Sequence, residues 1–481
     1  MYTHGIVLVA CAAIVSGCVD PEPGAASDTI GGTALVPDPN LDTYLAISRS
    51  AQNARSSPFE TALPGSNGRS CATCHPVGAH TALSIADAEA RFAADPRDPL
   101  FHPLDADDPS AATPTYAHVR KGLIRVVLTL PANMDVIDLA GNVVTPARRQ
   151  IEVWRGVPTV ENTAITGPYQ LDGRAASLEV QAQAAITSHS QGPTVSSHTL
   201  DRIAGFERAQ FSSARAAFVA AMLAIGVPRD RIPVPERAMP LSPQERRGRD
   251  VFERACAQCH GGATGTQIVN RTVHDGLFFA LGSDGNIIYD AVPGEAPTPR
   301  LVPHAAEFLN IGIGLLSGYG QMGLLPMFND DIQLPRYRFR FYTDATRRQQ
   351  VTDLPPVPVT ASGDPDDLNP ALNELGAPIT GPSLNVQTFS TDPGRAAITG
   401  DPLDFEAFDV PQLRGIAHTA PYFHDNNSGT LREVVDLYSR FMLQFGPLGL
   451  PPVNPPEQPG FPPESLTVAQ KQDLLAFLER L

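Results

Sequence analysis

The sequence predicts a mainly α protein built as two helical domains, with long irregular loops and an insertion in the second domain. Three observations predict it. The pentapeptide Cys-x-x-Cys-His occurs twice, as Cys71-Ala72-Thr73-Cys74-His75 and Cys256-Ala257-Gln258-Cys259-His260, far enough apart for each copy to occupy its own domain. Just before the second copy a helix begins, with Ser242 as N-cap, Pro243 in the first position and Glu245 in the third, a capping box. Finally, 47 Pro and 39 Gly in 481 residues favour many loops over long uninterrupted helices.

The pentapeptide has a chemical reason. Two thiols three positions apart can add to the two vinyl groups of one haem, and the next residue, His, is then held below the iron. A lone Cys-x-x-Cys could instead be a redox or zinc site. Two copies, each followed at once by His, point to two covalently bound haem c groups. Cys71, Cys74, Cys256 and Cys259 would attach them, and His75 and His260 would be the proximal iron ligands.

Composition bounds the rest. A hydrophobic content of 42% is ample for packed cores, and the net charge of -16 argues against nucleic acid or an anionic membrane surface as partner. Four of the six cysteines belong to the motifs, and Cys11 and Cys18 lie in an N-terminal apolar stretch. That run, Ile6 to Val15, is too short for a stable membrane span. It leads into Val15-Ser16-Gly17-Cys18, which resembles a lipoprotein cleavage box, although no Lys or Arg precedes it. Residues 1–18 are therefore read as a signal peptide with Cys18 lipidated, the alternative being an ordinary secretion signal cut nearby. Both readings place the mature chain in the periplasm, with a lipid anchor as its only membrane contact. The Pro/Gly-rich residues 19–40 read as a tether. Domains are expected at 41–235 and 236–481, the second with an insertion at about 282–390.

Within the second domain, Gly248 and Phe252 lie one turn apart on the helix that Ser242 caps. The final segment, Thr467 to Leu481, has apolar residues at helical spacing and is the expected partner of that helix. Inside the insertion, Arg336-Tyr337-Arg338-Phe339-Arg340-Phe341-Tyr342 alternates like a half-buried strand.

Three further stretches, Arg155 to Gln181, Asp392 to Leu413 and Thr419 to Tyr438, resemble the bacterial di-haem cytochrome c peroxidase superfamily, which includes MauG-type enzymes. The resemblance implies two cytochrome c-like helical domains, one haem in each. The N-terminal haem would meet hydrogen peroxide, and the other would store or relay electrons. The sixth ligand of the second haem is implied at Tyr438, fourteen residues after His424, with His424 itself as the alternative. A tyrosinate oxygen there would resemble MauG and stabilise ferric and higher states. The other reading of Tyr438 is a packed aromatic with a surface hydroxyl.

The first haem shows no sixth ligand, because Arg91 stands where the electron-storing peroxidases carry His, and His80 and His102 read as surface residues. Near Gln181, the position of the family's acid–base Glu is Gln191, which hydrogen-bonds but cannot shuttle a proton. His189 could replace it. Leu171 stands where the family commonly has a Trp between the haems, and Trp154, the only Trp, is either a relay or a core aromatic. A calcium ion is implied at the backbone of Thr419 and Pro421, yet the third ligand position, an Asn in the family, is Gly156. The resulting expectation is a haem-dependent oxidoreductase using peroxide or dioxygen, with a small electron-donor protein or an organic or protein substrate. A dioxygen-dependent oxygenase of the rubber-oxygenase type and a non-catalytic di-haem electron carrier are the alternatives.

Overall fold

The computed structural model describes residues 58–267, 308–314, 316–317, 327–355, 389–443, 453 and 464–481, with short strands at Thr33–Pro37, Thr43–Ile47, Phe278–Phe279, Tyr289–Asp290, Thr298–Pro299 and Leu301–Val302. The expected signal segment with Cys11 and Cys18, and much of the expected insertion, lie outside the described residues.

Both motifs are surrounded by helices. In the first half, Leu178–Ser188, Ser197–Arg208 and Ala214–Ala224 each start at a serine whose side chain accepts a backbone N–H of the first turn: Ser177, Ser196 and Ser213. The first two close over Phe59, Val160 and Cys71, burying Ala182, Ile186, Ile203 and Phe206. In the second half, Pro243–Ala255 crosses the C-terminal helix Val468–Leu478, as its sequence suggests. The crossing is at Gly248, where a Cβ would stand 1.9 Å from the Asp473 carbonyl oxygen, so only glycine allows the approach. Phe252 meets Phe477 at 5.3 Å between ring centroids, and Arg247 grips the Asp473 carboxylate with two bonds of 2.8 Å. The capping box of Ser242 and Glu245 is formed.

Strands form a second component beyond the mainly α expectation. Leu123–Thr129 and Gln150–Gly156 pair antiparallel, and their β-branched runs explain the choice. The alternating segment of the insertion does form a strand, Arg338–Tyr342, with Phe339 and Phe341 fully buried. It pairs on one side with Gln350–Leu354 and on the other with Met134–Ile137. A strand far along the chain is thus hydrogen-bonded into the first half.

The two halves also share an internal repeat. Asn162 and Gly415 each take a left-handed conformation before a single 3-10 turn, Thr163–Ile165 and Ile416–His418. A cis proline follows in each, Pro168 and Pro421, and then a tyrosine. The Tyr169 hydroxyl donates back to the Thr163 carbonyl, and the Tyr422 hydroxyl to that of Ile416. Both loops close by a bridge, Tyr169 to Ala175 and Tyr422 to Ser428, and lead through Ser177 or Thr430 into a capped helix.

Candidate haem sites

Around the first motif, Cys71–Cys74 forms one helical turn. Two arginines hold it. Arg69, 2% exposed, donates to the Pro99 and Leu100 carbonyls and pairs with the buried Asp105. Arg91 donates to the Thr73 carbonyl at 2.7 Å and is held by Asp98. Arg91 is thus a clamp on the motif itself. His102 caps the 3-10 turn Pro103–Asp105, its Nδ1 accepting the Leu104 N–H, and His80 stacks on His418 beside Glu161.

His75 Nδ1 donates to the Thr81 carbonyl at 3.0 Å, which leaves the Nε2 lone pair free for a metal. Burial depresses its pKa to about 4, so the ring is neutral at physiological pH. The second motif repeats this: His260 Nδ1 donates to the Pro411 carbonyl at 2.8 Å, and burial again lowers the pKa. All four motif cysteines are free, and burial pushes Cys71 and Cys256 up to about 12 and Cys74 and Cys259 to about 11. Paired neutral thiols beside an imidazole with an open Nε2 fit covalently attached haem at both motifs.

Beyond the motifs the two sites differ. On Leu178–Ser188 and its C-cap, the Gln181 Oε1 and His189 Nδ1 atoms are buried without a hydrogen-bond partner among the described residues. Burial also lowers the pKa of His189, and its charge would act on His75. Gln191 is exposed, with its Oε1 3.4 Å from the Asn67 amide nitrogen, which also donates to the His189 carbonyl. Glu207 is a buried carboxyl that no sequence signal marked. Its pKa is pushed up to about 8 by burial, and it lies near enough to Cys71 to act on its charge.

Near the second motif, the helix Leu431–Leu437 gives way to a π turn, Tyr438–Met442. Such turns are rare and gather at functional sites. Tyr438 packs with Cys256, and burial together with both motif thiols raises its pKa. Its ring stacks on Phe423 at 6.3 Å. His424 lies elsewhere, stacked 4.0 Å over Phe408, with a buried, unpartnered Nε2.

His424 belongs to a junction where the three quoted stretches meet. Arg155, 4% exposed, binds the Asp392 carboxylate with two bonds of 2.6 and 2.9 Å, and Asp172 with one of 2.6 Å. Arg174 adds a second bond to Asp172. The Asp409 N–H donates to the Leu171 carbonyl, so Leu171 lies along this seam. Gly156 donates to the His424 carbonyl, and a Cβ on Gly156 would stand 2.3 Å from Asn426 Oδ1. The side chain of Asn426, held by the Lys121 carbonyl, occupies the space beside Gly156, near Pro421. Trp154 is a buried core aromatic stacked 4.1 Å over His118, whose ring nitrogens contact Asp107 and the Gln333 carbonyl.

Comparison with known proteins follows these segments. The model of "Cytochrome C oxidase, cbb3-type, subunit III" matches residues 243–307, from the capped helix through the second motif. The cytochrome-c peroxidase IdrP2 of Denitromonas iodatirespirans is 36% identical over 97 residues, 20% of this chain and 23% of that protein. Cytochrome c551 peroxidase of Nitrosomonas europaea is 40% identical over 57 residues, 12% and 17% of the two chains. The chain thus matches about a fifth of the length of these relatives. The solved diheme peroxidase BthA of Burkholderia thailandensis aligns over 95% of this chain and 88% of its own, at 18% identity and a TM-score of 0.31.

Proposed function

We propose that this chain is an exported peroxidase-like oxidoreductase of the di-haem cytochrome c peroxidase and MauG superfamily, with two unequal haem c sites. One observation carries the reading. Two buried polar groups without partners, Gln181 Oε1 and His189 Nδ1, accompany the first motif, whereas the second has a buried phenol beside its thiols.

When bound, haem supplies an iron that can cleave the O–O bond of hydrogen peroxide and store the oxidising equivalents. The protein residues divide the rest. His189 is neutral at physiological pH because burial disfavours its charged form, so Nδ1 can take a proton from one peroxide oxygen and return it to the leaving one. Gln181 orients the peroxide by a hydrogen bond. Tyr438 would hold the second haem through a buried oxygen donor, which would favour its ferric state. Arg155, bridging Asp172 and Asp392, fixes the seam between the halves. Export and anchoring through Cys18, a small electron-donor protein or organic substrate, and calcium near Thr419 and Pro421 complete the proposal.

The test is spectroscopic and kinetic on the purified di-haem protein. Hydrogen peroxide should react rapidly, and His189→Ala should slow that reaction by about 10²–10⁴. Tyr438→Phe should alter the spectrum of one haem alone. Two six-coordinate haems inert to peroxide, carbon monoxide and cyanide would reduce the protein to an electron carrier. Oxygen uptake with an apolar substrate and no peroxide would make it an oxygenase.

A further inference from the structure

Behind the π turn lies a buried cluster of charges. Lys471 and Glu464 are both 0% exposed, and their side chains meet at 2.6 Å. Lys471 also bonds Asp436 at 2.9 Å, and Arg440 bonds the other Glu464 oxygen at 2.9 Å. Ser439, fully buried, joins from within the turn. Its hydroxyl donates to Glu464 at 3.4 Å and accepts the Leu466 N–H at 3.0 Å, while its carbonyl accepts the Ser465 N–H at 2.9 Å. Asp436 is held as well by Arg432.

These contacts fall on positions 436, 439 and 440, on either side of Tyr438. The tyrosine itself points into a different environment, with Cys256 and Phe423. Burying a charged pair is a weak source of stability, since apolar residues of similar volume often do as well, and a structural register is the best-attested use of such a pair. A register is what this turn needs. A π turn accommodates one residue more than the α-helix, and relaxation to α would swing the residues on one side of it by about 100° around the axis. The Ser439 bonds to residues 464–466 hold the turn open from outside.

We infer that the Lys471–Glu464 pair, with Ser439, is a positioning device that keeps the π turn open and so aims Tyr438 at the second haem. The inference rests on the reading of Tyr438 as the sixth ligand of that haem. Glu464 and Lys471 act only through the turn and touch no reacting group. Their removal should therefore change the ligation of one haem while leaving the other, and the fold, in place.

The experiment compares purified di-haem protein and its variants by visible and electron paramagnetic resonance spectra, redox titration of each haem, and urea unfolding. Glu464→Gln and Lys471→Met should each lose most of the wild-type signal of the haem that Tyr438→Phe perturbs, and raise its midpoint potential in the same direction. Lys471→Arg should retain the wild-type spectrum. A double variant, Glu464→Leu with Lys471→Met, removes both charges; it should unfold cooperatively yet show the perturbed spectrum. Folded variants with an unchanged spectrum, where Tyr438→Phe does change it, would overturn the positioning role alone. An unchanged spectrum in Tyr438→Phe would remove the ligand and the positioning role together.

Discussion

The two repeats use one scaffold for two purposes. Residues 162–178 and 415–431 share the left-handed residue, the 3-10 turn, the cis proline, the tyrosine tied back to the turn and the capped helix. What differs is the cargo. Leu171 in one loop corresponds to His424 in the other, and Gly173 to Asn426. On the helices, Ala185 corresponds to Tyr438 and His189 to Met442, and only the second helix breaks into a π turn. The shared hydrogen bonds set the backbone, and a few side chains make the two surroundings different.

The sharpest way to break the pair apart is through their buried arginine clamps. Arg69 pairs with Asp105 before the first motif, and Arg414 pairs with Glu236 at 2.7 and 2.8 Å while holding the Ala263 carbonyl. Asp105→Asn would leave Arg69 charged, buried and without its ionic partner, at a cost of roughly 3–5 kcal/mol. Urea unfolding followed at each haem should show the first site melting early and the second unchanged. Glu236→Gln should reverse that order, with a comparable loss, since each arginine keeps carbonyl bonds, Arg69 to Pro99 and Leu100 and Arg414 to Ala263. Equal losses at both sites would mean that the halves do not behave as separate units.

Much of this was legible in the sequence for a physical reason: the features concerned are local. The capping box at Ser242 and Glu245, the alternation through Arg338–Tyr342 and the Gly248–Phe252 face all express short-range geometry, and each took its expected form. Features that depend on distant partners were hidden. The hairpin of Leu123–Thr129 and Gln150–Gly156 was missed although both runs are rich in β-branched residues. Arg91 looked like a missing ligand, but only its bond to Thr73 reveals a clamp. Glu207 and the Lys471–Glu464 pair carry no local sequence signal, and only the fold shows that they are buried. The π turn has no sequence marker, whereas the repeat is spelled in both copies as Thr-x-Pro-Tyr-x-x-Asp, at Thr166 to Asp172 and Thr419 to Asp425, and was missed because the flanking residues differ.

Glu207 distinguishes the first half by pH. Burial raises its pKa from an ordinary 4.5 to about 8, so between those values the folded state binds the proton that the unfolded chain has released. Stability is full below the unfolded pKa and falls as pH rises toward 8. A shift of this size corresponds to at most roughly 4–5 kcal/mol. Glu207→Gln should flatten the decline and make the variant the more stable protein at pH 8. Unfolding midpoints measured from pH 5 to 9 at the first haem check it, and a decline that persists unchanged would mean that Glu207 ionises normally.

The helix crossing distinguishes the second half. Gly248→Val would drive a side chain into the Asp473 carbonyl and Phe477, at a cost of about 1–3 kcal/mol. The first motif is preceded by the loop residues 64–68 and has no such crossing, so the loss should be confined to the second haem's melting transition.

The smallest effect tests the seam itself. Where the family has an asparagine, this chain has Gly156, and the Asn426 amide fills the space beside it. A new asparagine in Gly156→Asn would clash with Asn426, 2.3 Å from where its Cβ must stand, and should cost about 1–2 kcal/mol. Asn426→Gly alone should cost less, about 1 kcal/mol, since it gives up one bond to the Lys121 carbonyl. If the amide at this seam can be supplied from either half, combining the two changes should recover most of the loss, with a coupling energy of about 1 kcal/mol in a double-mutant cycle. Simple additivity would show that Asn426 is ordinary packing and that the two halves do not exchange the role. Added calcium raising the stability of the double variant more than that of the wild type would identify the exchanged amide as a cation ligand.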